Sequence, residues 1–197
     1  MFSNPPAFFR QLQGEVRVKD NVWFTYKARI RAHKRLEWLD FHSQLLLVWY
    51  AILSAILGVV TIRHSQILGT DTDLLASVLS VALLGVSLAV TNRDFRARAL
   101  AMRRNYLELH KLYREIPEGT PPTSDQIDRY DLLLSDCENH RDVDDQIARI
   151  CASGLRSRHP STFEHISAVG WLTSRLLITI FLYALPVVFG SCMWQTK

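Results

Sequence analysis

Few side-chain patterns in this 197-residue chain could support chemistry, and each lacks a necessary partner. His140-Arg141-Asp142 has the order of a kinase catalytic loop, which requires Asn five positions after the Asp. This chain has Ile147 there, and it holds no glycine-rich phosphate loop. Cys137 and His140 stand at a metal-like spacing, with no second pair to complete a structural site. His159 and His165 flank a Pro-Ser-Thr turn, again without partners. Asp144 and Asp145 adjoin in sequence and so diverge around a helix. Three distant cysteines do not make a disulfide framework. These residues predict no enzyme, no metal site and no cofactor.

The elements that would carry such residues are membrane segments and the helices beside them. Residues 44–62, 74–92 and 176–194 contain no Asp, Glu, Lys or Arg, and each run is 19 residues long. At 1.5 Å per residue that is about 28 Å, close to the hydrocarbon thickness of a bilayer. The first two runs predict a transmembrane hairpin closed by the 11-residue connection 63–73. The third follows Trp171 and holds Pro186 and Gly190, which predict a kink or sideways packing. Trp49 and Tyr50 sit where an interfacial aromatic belt is expected. Residues 25–43 hold five basic side chains and 93–112 hold six, against Arg63 alone in the connection. That bias places the N-terminus and the middle region in the cytoplasm, with Arg175 at the cytoplasmic mouth and the Gln195–Lys197 tail outside. The first 30 residues carry Arg10, Arg17, Lys19, Lys27 and Arg29 without a long apolar core, so no cleavable secretion signal is expected.

The remaining chain reads as helical. Phe95, Ala99, Met102, Tyr106, Leu109, Tyr113 and Ile116 are spaced 4, 3, 4, 3, 4, 3, a heptad seam predicted to continue directly from the second span as one helix from Leu74 to Ile116. Pro117, Gly119, Pro121 and Pro122 end it. Thr123 or Ser124 can cap a following helix, whose stripe of Ile127, Tyr130, Leu134, Cys137, Ile147, Ile150 and Cys151 is interrupted at Arg141 and Asp144, with Gly154 as a stop. Val22, Trp23, Tyr26 and Ile30 suggest a helix leading into the first span. Residues 93–116 are net basic and 117–170 net acidic, which suits an antiparallel bundle. No alternating strand pattern occurs. The expected fold is an all-α membrane protein: a cytoplasmic segment 1–43, a hairpin 44–92, a cytoplasmic helical region 93–170 and a third span 171–194.

Inside the spans no ionisable group marks an ion-coupled pathway. Small and hydroxylated residues stand out instead: Ser54 and Gly58 on the first span, and Ser77, Ser80, Gly85, Ser87 and Thr91 on the second. Ser54-xxx-Gly58 and Gly85-xxx-Ala89 permit close backbone approach. They suit packing of the hairpin within one chain, or contacts between copies with hydroxyls turned to a water-filled gap. The heptad seam likewise suits packing against residues 124–151 or assembly of a homo-oligomer. Trp23, Tyr26, Arg103 and Arg104 suit contacts with membrane lipids or a ligand. Arg103, Arg104 and Tyr106 interleave charge and aromatic rings, but beside a membrane they are weak grounds for nucleic acid as a partner.

This layout resembles the SLATT-domain proteins. The resemblance rests on Trp23-Phe24-Thr25-Tyr26-Lys27-Ala28-Arg29, the two-span hairpin, Asn92-Arg93 and the Arg103-x-x-Tyr106 motif. It covers about residues 15–155, with the third span as a subfamily addition. It implies a membrane effector of bacterial conflict systems, encoded beside a nucleotide-signal synthase, a nucleotide sensor or a reverse transcriptase. The implied action is to open a pore or disrupt the inner membrane. A non-catalytic tether or sensor that recruits a cytoplasmic partner is the alternative. Two or three helices cannot enclose water, so a pore requires a homo-oligomer.

Overall fold

A computed structural model of the chain describes residues 7–64, 72–152 and 160–195. The connection at 63–73, the Gly154 stop, His159 and the tail beyond Gln195 lie wholly or largely outside them. The described residues form six helices and no strand: α1 (Ala7–Arg63), α2 (Thr72–Arg93), α3 (Phe95–Glu115), α4 (Ser124–Ser135), α5 (Asp142–Ile150) and α6 (Thr162–Gln195). Three helical stretches, within α1, through α2 and within α6, are long and apolar enough to cross a membrane. Their large side chains face outward: Ile62 is 86%, Val81 71% and Val59 69% exposed. Such surface is tolerable only where hydrocarbon is the solvent.

Helix boundaries follow from local chemistry. Thr123 caps α4, accepting from the Gln126 amide, while the Gln126 side chain accepts from the Thr123 amide. This reciprocal box satisfies two amide donors that the first helical turn leaves open. Ser161 and Glu164 make the same exchange at the start of α6. The single helix predicted from Leu74 to Ile116 is interrupted at Asp94, which adopts φ 41°. Asp is one of the few residues that accepts the left-handed region. The helix predicted over 124–151 is also two, α4 and α5, and Arg141, which interrupts the apolar stripe, is the N-cap of α5.

The helices sort into two compact units. The first takes α1 up to Glu37, α3, α4, α5 and α6 as far as Val169. Its apolar core joins Val22 and Tyr26 of α1, Leu109, Leu112 and Ile116 on and just beyond α3, and Leu133 of α4. Trp23, Ile30, Tyr113 and Tyr130 pack around that centre.

The second unit comprises α1 from Trp38, α2 and α6 from Gly170. Pro186 lies inside α6 and has no amide hydrogen, so the Leu182 carbonyl loses its helical donor. The Tyr50 hydroxyl donates to that carbonyl at 2.8 Å, and the Trp49 indole N–H donates to the next, Tyr183, at 3.2 Å. Tyr50 therefore seals a proline break, with Trp49 bonded to the carbonyl beside it, rather than the two simply marking an interface. Near the start of this unit the Arg175 guanidinium lies 4.2 Å from the Trp38 ring and 5.1 Å from the Trp171 ring. That places its charge among amphipathic rings, which stabilise a cation beside an apolar surface.

Coupling between Tyr50 and Pro186 is directly measurable. Tyr50→Phe should destabilise the detergent-solubilised protein by about 0.5–1.5 kcal/mol. In a Pro186→Ala background, where the restored backbone amide can donate to Leu182, the same change should cost close to nothing. Equal melting shifts in the two backgrounds would refute the carbonyl-sealing role.

Candidate functional site

In the first unit the helices are held together by buried charge. Arg29 of α1 is fully buried. One of its terminal nitrogens donates to Asn105 of α3 and, at 2.9 Å, to the Leu133 carbonyl; the other reaches the Leu134 carbonyl at 3.2 Å. Those carbonyls belong to the last turn of α4, where backbone acceptors lack intrahelical donors and the helix dipole is negative. Asn105 also donates to the Leu133 carbonyl, at 2.7 Å. One guanidinium thus ties three helices at a single point. Burial lowers its pKa, because the charged form loses water, against weaker opposing fields from Cys137, Tyr130 and Asp136.

Further along α1, Arg35 makes a bidentate pair with Asp144 of α5, at 3.1 and 3.0 Å. Both residues are almost wholly buried. Asp144 accepts in addition from the Arg141 amide at 3.1 Å, so it closes the first turn of α5 while gripping α1. His33 lies between these arginines on the same helix. Its Nδ1 is 3.0 Å from the Ala99 carbonyl, and its ring packs at a tilt against Tyr106, with centroids 5.6 Å apart. Neither Arg29, Arg35, Asn105 nor Asp144 stood out as a site in the sequence. The available signal was Arg29 at helical spacing from Val22 and Tyr26, seven and three residues away, and Arg35 at the same spacing from Ala28 and Ala32.

This arrangement absorbs several residues predicted as contacts. Ala99, Met102, Leu109 and Ile116 of the heptad seam are buried, and Phe95, Tyr106 and Tyr113 are half-buried. The seam is therefore filled from within the chain, and α1 covers it as well as α4. Tyr26 is a core residue and Trp23 packs beside it, so both are engaged inside the bundle. Arg103 and Arg104 are exposed. Cys137 and His140 fall in the connector between α4 and α5. The Cys137 thiol approaches the Met102 sulfur at 3.8 Å, and burial raises its pKa. Among the described residues no group of three His, Cys, Asp or Glu could hold a metal.

In the second unit, the glycines of the predicted small-residue motifs have open space beside them among the described residues. A Cβ added at Gly58 or Gly85 would meet nothing within 4 Å. Ser54 and Ser87 are half-covered, whereas Ser77, Ser80 and Thr91 are exposed. The Ser80 hydroxyl donates to the Ala76 carbonyl and Thr91 to Ser87, both at 2.9 Å. Bonding back to their own helix lets these hydroxyls face hydrocarbon without orphaned donors.

The buried charges make two effects measurable. Arg35→Ala or Asp144→Ala should each cost about 3–5 kcal/mol, because an unpaired buried charge remains. Arg35→Met with Asp144→Leu should recover most of that in thermal unfolding, with a residual loss of about 1 kcal/mol from the α5 cap. The second effect concerns His140, whose Nδ1 is buried with no hydrogen-bond partner among the described residues. Burial, helped by the Arg29 charge, lowers its pKa below the ordinary 6.5 and outweighs the attraction of Asp145, Asp144 and Asp142. The unfolded chain therefore binds the proton first as pH falls, and this contribution to stability declines below about pH 6.5. His140→Gln should flatten part of the loss in melting temperature between about pH 7 and about pH 5.

A family model described as the SMODS and SLOG-associating 2TM effector domain family 5 matches residues 15–194. The match extends through α6, so the third apolar helix lies within the family's own span rather than beyond it. No curated protein and no solved structure matches the chain. With three membrane-length helices and a family match over nearly its whole length, the chain belongs to SLATT family 5, a family of membrane effector domains associated with defence systems.

Proposed function

We propose that this protein is a membrane-active effector of a bacterial defence system that acts without catalysis. Copies assemble in the inner membrane, and activation by a partner or a nucleotide signal rearranges the assembly so that the membrane leaks, arresting or killing the cell. The partner on this reading is a nucleotide-signal synthase, a nucleotide sensor or a reverse transcriptase encoded nearby. The positive charge of residues 25–43 and 93–112 supports a cytoplasmic N-terminus and bundle, where such a signal arrives.

The observation that carries the assembly is the open space at Gly58 and Gly85. In lipid, helices associate through small residues that allow backbones to approach, because apolar burial gives no gain there. Here the space beside both glycines is open among the described residues, which leaves them available to another copy. The helical backbone of α1 and α6 continues from residues of the bundle into residues of the spans, which gives a signal at the bundle a covalent route to the membrane.

Activated expression in bacteria should collapse the membrane potential within minutes, read with a voltage-sensitive dye. A Gly58→Leu, Gly85→Leu variant should insert to the same level and leave the potential near its resting value. Full activity in that variant, or after both hairpin spans are replaced by an unrelated hairpin, would overturn the reading in favour of a tether.

A further inference from the structure

With the heptad seam buried, the first unit still presents two helix faces whose charges are unmatched. On α3, Arg96, Arg103, Arg104 and Arg114 are exposed and form no ion pair among the described residues. The acids of this helix are already engaged: Glu108 with Lys111 and Arg129, and Glu115 with Arg129. Between the arginines, Leu100 and Leu107 stand two turns apart, 51% and 45% exposed. On α4, Asp125, Asp128 and Asp131 are exposed and likewise unpaired among the described residues. Beside them Leu132 is 69% exposed.

These two faces match in chemistry, each an apolar centre flanked by charge, and they are opposite in sign. They cannot satisfy one another within a chain. α3 and α4 turn their opposite sides into the same core, through Leu109 and Leu112 on one and Leu133 on the other, so the exposed sides diverge from it. We infer that the basic face of α3 in one copy docks on the acidic face of α4 in the next. This inference rests on the assembly reading above and names its cytoplasmic interface. Each copy uses two different patches, so the contact is head-to-tail. Such contacts close into a ring when the rotation between copies divides a full turn. Exposed leucines supply the buried centre and the charges set register and partner choice. A second copy is favoured over an anionic lipid surface because only the copy explains the acidic, leucine-bearing face as well as the basic one.

The test uses the full chain purified in detergent, with self-association followed by sedimentation and chemical cross-linking. R103E/R104E should weaken association about tenfold or more, since attraction becomes like-charge repulsion, and D128K/D131K should do the same. All four changes in one chain, or an equal mixture of the two double variants, should restore association, because each reversed face then meets a complementary one. High salt should weaken the wild-type contact. Association unaffected by either double variant would overturn the inference. So would failure of both rescues in proteins whose helical circular dichroism is intact, including the case where R103E/R104E instead changes only the dependence on phosphatidylglycerol in nanodiscs. The two readings separate cleanly: the rescue pattern without depolarisation retains this interface and rejects the leaking membrane, whereas depolarisation unaffected by either double variant does the reverse.

Discussion

Hydrocarbon supplies no hydrogen bonds, and that constraint organises the membrane half of this protein. A chain that places Pro186 inside a spanning helix leaves a backbone carbonyl without a donor, at a cost of several kcal/mol in lipid. The protein meets this with Tyr50 and Trp49, whose polar tips reach the Leu182 and Tyr183 carbonyls from α1. A proline break that would be a weakness in an isolated helix thereby becomes a specific junction between two. The same constraint explains why Ser80 and Thr91 bond back to their own helix. Their polarity is cancelled locally, so their presence on an exposed face does not by itself indicate a water-filled path.

Outside the spans a related constraint operates on charge. Arg29 and Arg35 lie on the buried side of α1, where leucines would have given a simpler core. A buried guanidinium tolerates only arrangements that supply its acceptors, so it discriminates among packings more sharply than apolar contact does. Arg29 donates to carbonyls in the last turn of α4, and Arg35 donates to Asp144 in the first turn of α5. Both ends of the α4–α5 pair are thus registered against one helix. In such a bundle no helix can slide past α1 without giving up these polar partners.

Much of this architecture was legible in the sequence because its signals are long and physically simple. The three 19-residue runs, the 93–112 charge bias and the 95–116 heptads each extend over several helical turns, and the Thr123 cap needs only one local exchange. What escaped depends on a single residue or a tertiary partner. The break at Asp94 is one dihedral angle. The division of α4 from α5 was visible as an interruption at Arg141 and Asp144, but its meaning lay in Arg35, more than a hundred residues away. Trp49 and Tyr50 matched the composition of an aromatic belt, and nothing local tied them to Pro186. Tyr26 and Trp23 looked available for lipid or ligand until α3 was laid against them.

The filled seam changes where assembly can occur. A heptad repeat in sequence does not say whether its partner is another copy or another segment, because knobs-into-holes packing is the same in either case. Once α1 and α4 occupy that face, a self-association surface in the bundle must use the outward sides of the helices. Those sides are short of acids on α3 and rich in them on α4. In the membrane, the open surfaces include the glycine faces of the two hairpin spans. The two regions obey different rules: small residues and close approach in lipid, complementary charge around leucine in water. An interface using both would place its specificity in the aqueous bundle and its close contacts in the bilayer.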